Sequence, residues 1–519
     1  MRDLQDSSHS GGAQVLAPSR KIAASVAAPV IGGSARPLNP RDDGRVMEVM
    51  QKPLMRTFQN QQTISGSAAG ALAVVPPPNM TGAASREPGE LWNYAVYSLI
   101  ALGCVVVGYY QFHIIVLRIL RIAEKQHGVR ALAYLGLFWL GLGFVLVVIR
   151  TAFWIVYRPA AAATREGAPS LTVIIPAYNE GAMVLQSIES VAKADYPHDR
   201  LEILVVDDGS KDDTYSYIAQ AAQKYPGLVT ALRHERNRGK REALALGFSR
   251  ARGEVLVTID SDSVIERDAL LALAGPFRDP KIGAVAGRVE VYNRGHGIIP
   301  RMLHVRYMLS FDMLRAVESV YRNVYCCPGA LTGLRAAGVR EVLERWKNQQ
   351  FLGSRCTFGE DRAMTNYLLD SGYDTVYQRT AVVRTLVPIS YVKLCKMLLR
   401  WDRSYVREEI RFMGIVWKRP WPTRIMAMFD RAVTNFRYPA SYSSLGLLPL
   451  LVMQDPTVTM PIVATMGAMS LFSVLYFLRT ERSMSFLYGV LYTYYSAIAL
   501  FWIMPYAVAT VRSRKWMTR

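Results

Sequence analysis

Val255-Leu256-Val257-Thr258-Ile259-Asp260-Ser261-Asp262-Ser263 is the stretch that decides the fold. Its first five residues are a short apolar, β-prone run, which predicts a buried strand. Two carboxylates, Asp260 and Asp262, then stand two residues apart where that strand ends. Hard oxygen ligands in this spacing suit Mg²⁺ or Mn²⁺ held against a diphosphate. Asp and Ser after a strand are also ordinary turn residues, so the neighbours of the tetrapeptide carry the decision.

Working outward, three more Val/Ile-rich runs precede it, at 171–175, 202–206 and 230–233. Helical stretches at 182–194, 214–224 and 240–250 alternate with them. This alternation predicts βαβ units, hence an α/β domain over 168–392 with a mainly parallel sheet. In such a sheet, ligands bind beyond the carboxyl ends of the strands. The first run leads into Pro176-Ala177-Tyr178-Asn179-Glu180 and the second into Asp207-Asp208-Gly209-Ser210. Carboxylates there can accept hydrogen bonds from a base or a ribose, and Asp208 is assigned to the site. Asp212-Asp213-Thr214 is better explained as a helix N-cap. Asn237-Arg238-Gly239-Lys240-Arg241 opens the next helix, where a helix N-terminus and two cations suit a diphosphate. A solvated charge run explains Lys240-Arg241 as well when they are taken alone.

About a hundred residues on stands Gly359-Glu360-Asp361-Arg362, ahead of a helical run. A carboxylate at that junction can deprotonate an acceptor hydroxyl, or simply cap the helix. Arg400-Trp401 follows in a basic, aromatic stretch. An Arg there can neutralise a leaving diphosphate and a Trp face can stack on a sugar. The same stretch also fits a helix lying on a membrane surface, and the two readings are compatible.

The 519-residue chain is 51% hydrophobic with a mean hydropathy of +0.12, too apolar for an ordinary soluble enzyme. Residues 1–90, rich in Ser, Gly, Ala, Pro and Arg, are expected to be a disordered cytoplasmic region. Residues 91–158 carry two runs long enough to cross a bilayer. The stretch 393–437 is expected to form interfacial helices, and 438–511 two to three further spans. Five spans would put the two ends on opposite sides, whereas the basic tail 512–519 prefers the cytoplasm. One C-terminal span is therefore expected to be re-entrant or interfacial. Net charge is +20, which fits anionic lipid and a phosphate-bearing substrate. Nucleic acid is excluded as a partner: no zinc spacing and no helix-turn-helix pattern accompany the charge. The five cysteines, Cys104, Cys326, Cys327, Cys356 and Cys395, form no CxxC pair and are read as reduced thiols.

Pro-Ala-Tyr-Asn-Glu, Val-Asp-Asp-Gly-Ser, Gly-Lys-Arg, Asp-Ser-Asp, Gly-Glu-Asp-Arg and Arg-Trp occur in this order between Val173 and Glu408. The set resembles processive family 2 membrane glycosyltransferases, which synthesise hyaluronan, chitin oligosaccharides, cellulose and related polymers. The stretch from Phe351 to Glu408 is most similar to the hyaluronan and chitin-oligosaccharide synthase branch. The resemblance implies a GT-A-type, Rossmann-like catalytic domain inserted between transmembrane helices, facing the cytoplasm of a multi-pass inner-membrane protein. It implies a nucleotide-sugar donor, a growing polysaccharide acceptor, and accessory export proteins as further partners. Asp208 would contact the base, with Tyr178 and Glu180 beside it. Lys240 and Arg241 would hold nucleotide and diphosphate. Asp260 would sit near the ribose and metal, and Asp262 would ligate Mg²⁺ or Mn²⁺. Asp361 would be the general base, with Glu360 and Arg362 next to it, and Arg400 and Trp401 would line the diphosphate and acceptor site.

The chain departs from the pattern at Met397, where the family has Gln or Arg, and Lys396 is expected to supply the charge there. It also departs at Cys326-Cys327-Pro328-Gly329-Ala330-Leu331-Thr332, where the family has a Gly-rich acceptor loop. No motif fixes the sugar. UDP-N-acetylglucosamine, with or without UDP-glucuronate, is the first expectation. Mannuronan or β-glucan synthesis, transfer of one sugar to a lipid, and a degenerate membrane nucleotide sensor or scaffold are the alternatives.

Overall fold

The computed structural model describes residues 90–110, 130–454 and 459–514, with positions 113, 117 and 456. The expected disorder of the N-terminal region concerns residues that lie outside these. Among the described residues there are ten strands: β1 (Leu171–Ala177), β2 (Leu201–Asp207), β3 (Val229–Arg233), β4 (Val255–Thr258), β5 (Ser263–Ile265), β6 (Ile282–Val291), β7 (Thr332–Arg335), β8 (Gln350–Phe351), β9 (Ser354–Arg355) and β10 (Asp374–Thr385). Eight form one sheet in the order β3-β2-β1-β4-β7-β6-β10-β5, and β8 and β9 pair as a separate hairpin.

The four strands read from the sequence run parallel, separated by Met183–Ala192, Thr214–Lys224 and Lys240–Arg250. The expectation of a mainly parallel sheet holds for β3, β2, β1 and β4 and for β6 with β10, but two strands run against it. Strand β7 enters antiparallel between β4 and β6, and β5 runs antiparallel along β10. The sheet is therefore mixed.

Side-chain alternation explains the layering. In β1, Val173 and Ile175 join one core cluster while Ile174 joins another. Likewise, Ile203 and Val205 of β2 join the first cluster, and Leu204 and Val206 the second. Successive side chains of a strand point to opposite faces, so the sheet has a core on each side. The helix Met183–Ala192 packs on the first through Val184, Ile188 and Val191. Lys240–Arg250 and Glu360–Asp370 pack on the second. Strands buried on both faces read as continuous apolar runs, which is why they were visible in the sequence. Each fully buried aliphatic side chain contributes about 1.5–3 kcal/mol.

Register then places the site. Ala177 pairs with Asp207, and Ile174 pairs with Thr258. The loops after β1, β2 and β4 therefore leave the sheet along one edge.

Among the described residues, two helices are long and apolar enough to cross a membrane, Leu91–Tyr110 and Leu137–Val156, with mean hydropathy of 1.7 and 2.0. They leave Leu99, Val105, Phe138 and Val148 exposed. Toward the C-terminus, Met484–Ala499 and Ile503–Ala509 meet at a 51° bend, as in a broken span or a re-entrant loop. The stretch expected to be interfacial contains the helix Tyr391–Ile415. The sequence boundary at 437/438 does not appear in the backbone: one helix, Trp421–Gln454, runs through it with Pro439 and Pro449 inside.

Candidate active site

The loops at the sheet edge are stitched to one another. Asn179 adopts φ +53°, its amide donates to Ser210 Oγ at 2.9 Å, and its Oδ1 accepts from the Lys211 amide at 2.9 Å. The amides of Glu180 and Gly181 both donate to Thr214 Oγ1, at 2.8 and 2.9 Å. Tyr178 and Glu180 are thus fixed at the crevice by the loop that carries Asp208. At 212–214 the N-cap is Asp213, which makes no side-chain cap bond, while Asp212 Oδ1 accepts from the Thr214 amide at 3.1 Å.

Asp208 is buried, and its carboxylate is bonded within the fold. Oδ1 accepts from the Arg238 amide at 3.0 Å and faces His234 Nδ1 at 2.8 Å, and Oδ2 accepts from the Gly239 amide at 2.7 Å. Part of the anion-binding capacity expected at this helix N-terminus is therefore met by Asp208 itself. Arg241 also turns inward. Its Nη1 donates to the Trp346 carbonyl at 2.6 Å and to Gln349 Oε1 at 2.9 Å, and its guanidinium lies 5.0 Å from the Trp346 ring centroid. In this geometry Arg241 braces the helix against Trp346, away from the Lys240 side chain.

Lys240 points into the cleft. Its Nζ is bonded to Asp260 Oδ1 and lies 3.4 Å from Glu360 Oε1. Burial disfavours its charge, but Asp260 and Glu360 outweigh that and raise its pKa. Glu360 and Asp361 are pushed apart. Burial works against the charge on Glu360, yet Lys240 and Arg400 hold its carboxyl below the ordinary range. Burial, then the negative charge of Glu360, push Asp361 upward. Two neighbouring carboxylates set apart in this way suit acid–base work. Asp361 Oδ1 accepts from the Arg362 amide at 2.7 Å, and Oδ2 receives the Gly329 amide at 3.4 Å and the Cys326 thiol at 3.9 Å. The loop that departs from the Gly-rich pattern, through Cys326 and Gly329, therefore lies directly against Asp361.

The helix Tyr391–Ile415 closes the other side. Gly359, at φ +75°, passes so close to Ser404 that a side chain there would overlap it. Arg407 Nη2 holds the Phe358 carbonyl at 2.6 Å. Arg362 reaches away from the cleft, 3.6 Å from Glu409 Oε1 and over the Tyr405 ring. Trp401 packs beside Tyr307 and Phe311, with ring centroids 6.1 and 6.3 Å away.

Asp260 and Asp262 leave the end of β4 together, and Thr385 Oγ1 donates to Asp262 Oδ1 at 3.3 Å. No group of three or more His, Cys, Asp or Glu with metal-binding geometry occurs among the described residues. Two carboxylates fit a cation that takes its remaining ligands from substrate phosphates and water, as Mg²⁺ commonly does. Pro176, Lys240, Asp260, Gly329, Glu360 and Asp361 all line one cleft with about 370 Å³ of empty space, part of it open to solvent.

Residues 172–343 match the family model described as glycosyl transferase family 2. Hyaluronan synthase from Streptococcus pyogenes is 30% identical over 400 residues, covering 73% of this chain and 90% of the relative. The chain belongs to glycosyl transferase family 2. An N-acetylglucosaminyltransferase from Azorhizobium caulinodans is 29% identical, covering 68% of this glycosyltransferase and 87% of the relative. A solved mannosyltransferase from Pyrobaculum calidifontis, in complex with GDP-mannose and Mn²⁺, shares the fold: TM-score 0.51, 21% identity, 69% of this chain and 98% of that one. The catalytic domain of this glycosyltransferase is thus of the GT-A type with a mixed sheet, as its strand order shows.

Two residues beside these motifs were assigned no role from the sequence. Cys326 stood in a loop whose target was unknown. Tyr307 sits in Ile298–Tyr307, a helix of mixed polarity without a motif. The four free cysteines among the described residues, Cys326, Cys327, Cys356 and Cys395, are all buried.

Proposed function

We propose that this glycosyltransferase is an inverting, processive synthase that builds a β-linked polysaccharide from a nucleotide sugar. The donor is UDP-N-acetylglucosamine, with or without UDP-glucuronate. It works at the inner membrane with its catalytic domain on the cytoplasmic side, and its membrane helices pass the polymer outward. The observation that carries the chemistry is the convergence of Lys240, Asp260, Glu360 and Asp361 on one cleft. The names of the relatives, hyaluronan synthase and N-acetylglucosaminyltransferase, support the choice of sugar. The two apolar helices and the bent C-terminal pair support membrane placement, and anionic lipid is the partner expected from the net charge of +20.

Asp361, with its raised pKa, takes the proton from the acceptor hydroxyl. The hydroxyl oxygen forms its bond to the anomeric carbon as the bond from that carbon to the diphosphate breaks. The nucleoside diphosphate leaves with the electron pair, beside the positive charges of Lys240 and Arg400. A divalent cation, Mg²⁺ or Mn²⁺, bound at Asp260 and Asp262 would supply further charge neutralisation at the diphosphate. Inversion of an α-linked donor yields a β-linkage.

Membranes given radiolabelled UDP- and GDP-sugars one at a time test the reading. Long polymer from UDP-N-acetylglucosamine is expected. Incorporation only from a GDP-sugar points to a mannuronan-type product. A single sugar on lipid, or no turnover by the intact protein, overturns processive synthesis.

A further inference from the structure

Tyr307 is a buried phenol at 4% exposure, and its hydroxyl has only a weak partner. Among the described residues that partner is the thioether of Met397, 3.9 Å away. Sulfur is a poor acceptor, and a buried tyrosine hydroxyl ordinarily finds a better one. The surroundings indicate what that partner is. Asp260, Asp262 and Arg400 lie within electrostatic reach of the phenol. Its ring packs on Phe311 at 4.9 Å and stands beside Trp401 at 6.1 Å. Tyr307 thus packs against the Arg400-Trp401 helix, within the field of the two carboxylates that follow β4. Burial raises its pKa, so the hydroxyl keeps its proton and remains a donor. Directly after Tyr307 the helix widens into a π turn, Met308–Met313, a distortion frequent at functional sites.

We propose that the Tyr307 hydroxyl donates a hydrogen bond to the diphosphate of the bound nucleotide sugar, with Met397 as its apolar seat. An O–H donor against an anionic phosphate oxygen forms one of the stronger hydrogen bonds in proteins. The thioether holds the phenol in place when no ligand is bound and gives it up at little cost. This rests on reading Asp260 and Asp262 as the diphosphate end of the site. Tyr307 would then contact the donor's phosphates rather than its base.

The test uses the full chain in detergent or lipid nanodiscs and measures the affinities of UDP and UMP, and of GDP and GMP. Tyr307→Phe keeps the ring and removes only the hydroxyl. It is expected to weaken binding of the nucleoside diphosphate about ten- to a hundredfold, the range for a hydrogen bond to a charged group. Affinity for the monophosphate, which lacks the second phosphate, should stay within about twofold. Met397→Leu removes the sulfur but keeps the volume, and should leave diphosphate affinity within about twofold. The inference is overturned if Tyr307→Phe binds the diphosphate as the parent does, or loosens both nucleotides equally. It is also overturned if Met397→Leu reproduces the loss, because the contact would then be packing alone. A parent that binds neither diphosphate overturns the donor-site reading itself, and this inference with it.

Discussion

Lys240 bridges two carboxylates brought from distant parts of the chain: its Nζ is bonded to Asp260 and lies 3.4 Å from Glu360 Oε1. One of these acids ends β4 and the other begins the helix Glu360–Asp370. The amine therefore links the donor side of the cleft to the general-base side. Lys240→Ala leaves Glu360 buried without its nearest cation, and removes charge facing the departing diphosphate. Polymer synthesis is expected to fall at least about a hundredfold, the loss typical of deleting one preorganised charge or donor. Incorporation of labelled sugar by purified enzyme measures it. Activity within about threefold of the parent would refute a role for Lys240 at the diphosphate.

Asp361 sets a pH signature. Its pKa is raised by burial and by the charge of Glu360, and a base works only when deprotonated. Activity should therefore be lost as pH falls through that raised value, which lies above the ordinary Asp pKa of about 3.9. Glu360→Gln removes the like charge, so the acid limb of kcat/KM should move to lower pH. Asp361→Asn should lose about 10²–10⁴-fold in rate while keeping nucleoside diphosphate affinity. An acid limb that Glu360→Gln leaves in place, or moves upward, would count against Asp361 as the base.

The fold was legible where burial on both faces forced continuous apolar runs. β1, β2, β3 and β4 were found within two residues of their ends, and Thr214–Lys224 and Lys240–Arg250 were found outright. The second half of the sheet was not, because β6 and β10 are interrupted by polar and charged residues such as Arg288 and Gln378. Arg288 is paired with Glu290, and Gln378 is held by Ala160. The partner of Gln378 stands 218 residues away along the chain and exists only in three dimensions. The site showed the same division. Order and spacing brought out Lys240, Asp260, Glu360 and Asp361, which share a cleft. Spacing could not tell Lys240, which faces that cleft, from its neighbour Arg241, which turns in to Trp346. Nor could it find Tyr307, which is placed by packing against the Arg400-Trp401 helix rather than by a motif of its own.

Metal removal probes Asp260 and Asp262. Chelation with EDTA should abolish synthesis, and Mg²⁺ or Mn²⁺ should restore it. Asp262→Asn should raise the metal concentration needed for half-maximal rate by at least about tenfold, since a hard cation loses one of its two charged protein ligands. A metal titration followed by sugar incorporation measures the shift, and full activity in EDTA would exclude a metal at these carboxylates.

Gly359 tests whether the general-base helix must sit hard against the Arg400-Trp401 helix. Its φ of +75° is a conformation that costs a residue with a side chain about 1–2 kcal/mol. An added Cβ would also overlap Ser404 Oγ and Cβ and press on the Arg407 guanidinium. Neither neighbour can yield easily: Ser404 and Arg407 are buried, and Arg407 grips the Phe358 carbonyl. Gly359→Ala should therefore displace Glu360 and Asp361 from the cleft, with synthesis lost and the melting temperature lowered. Adding Ser404→Gly restores the space but leaves the backbone strain, so the double variant should recover only part of the activity. Comparison of thermal unfolding and polymer yield across the parent and these two variants separates the steric term from the conformational one. A single Gly359→Ala variant as active and as stable as the parent would show that the close approach of the two helices is not required for catalysis.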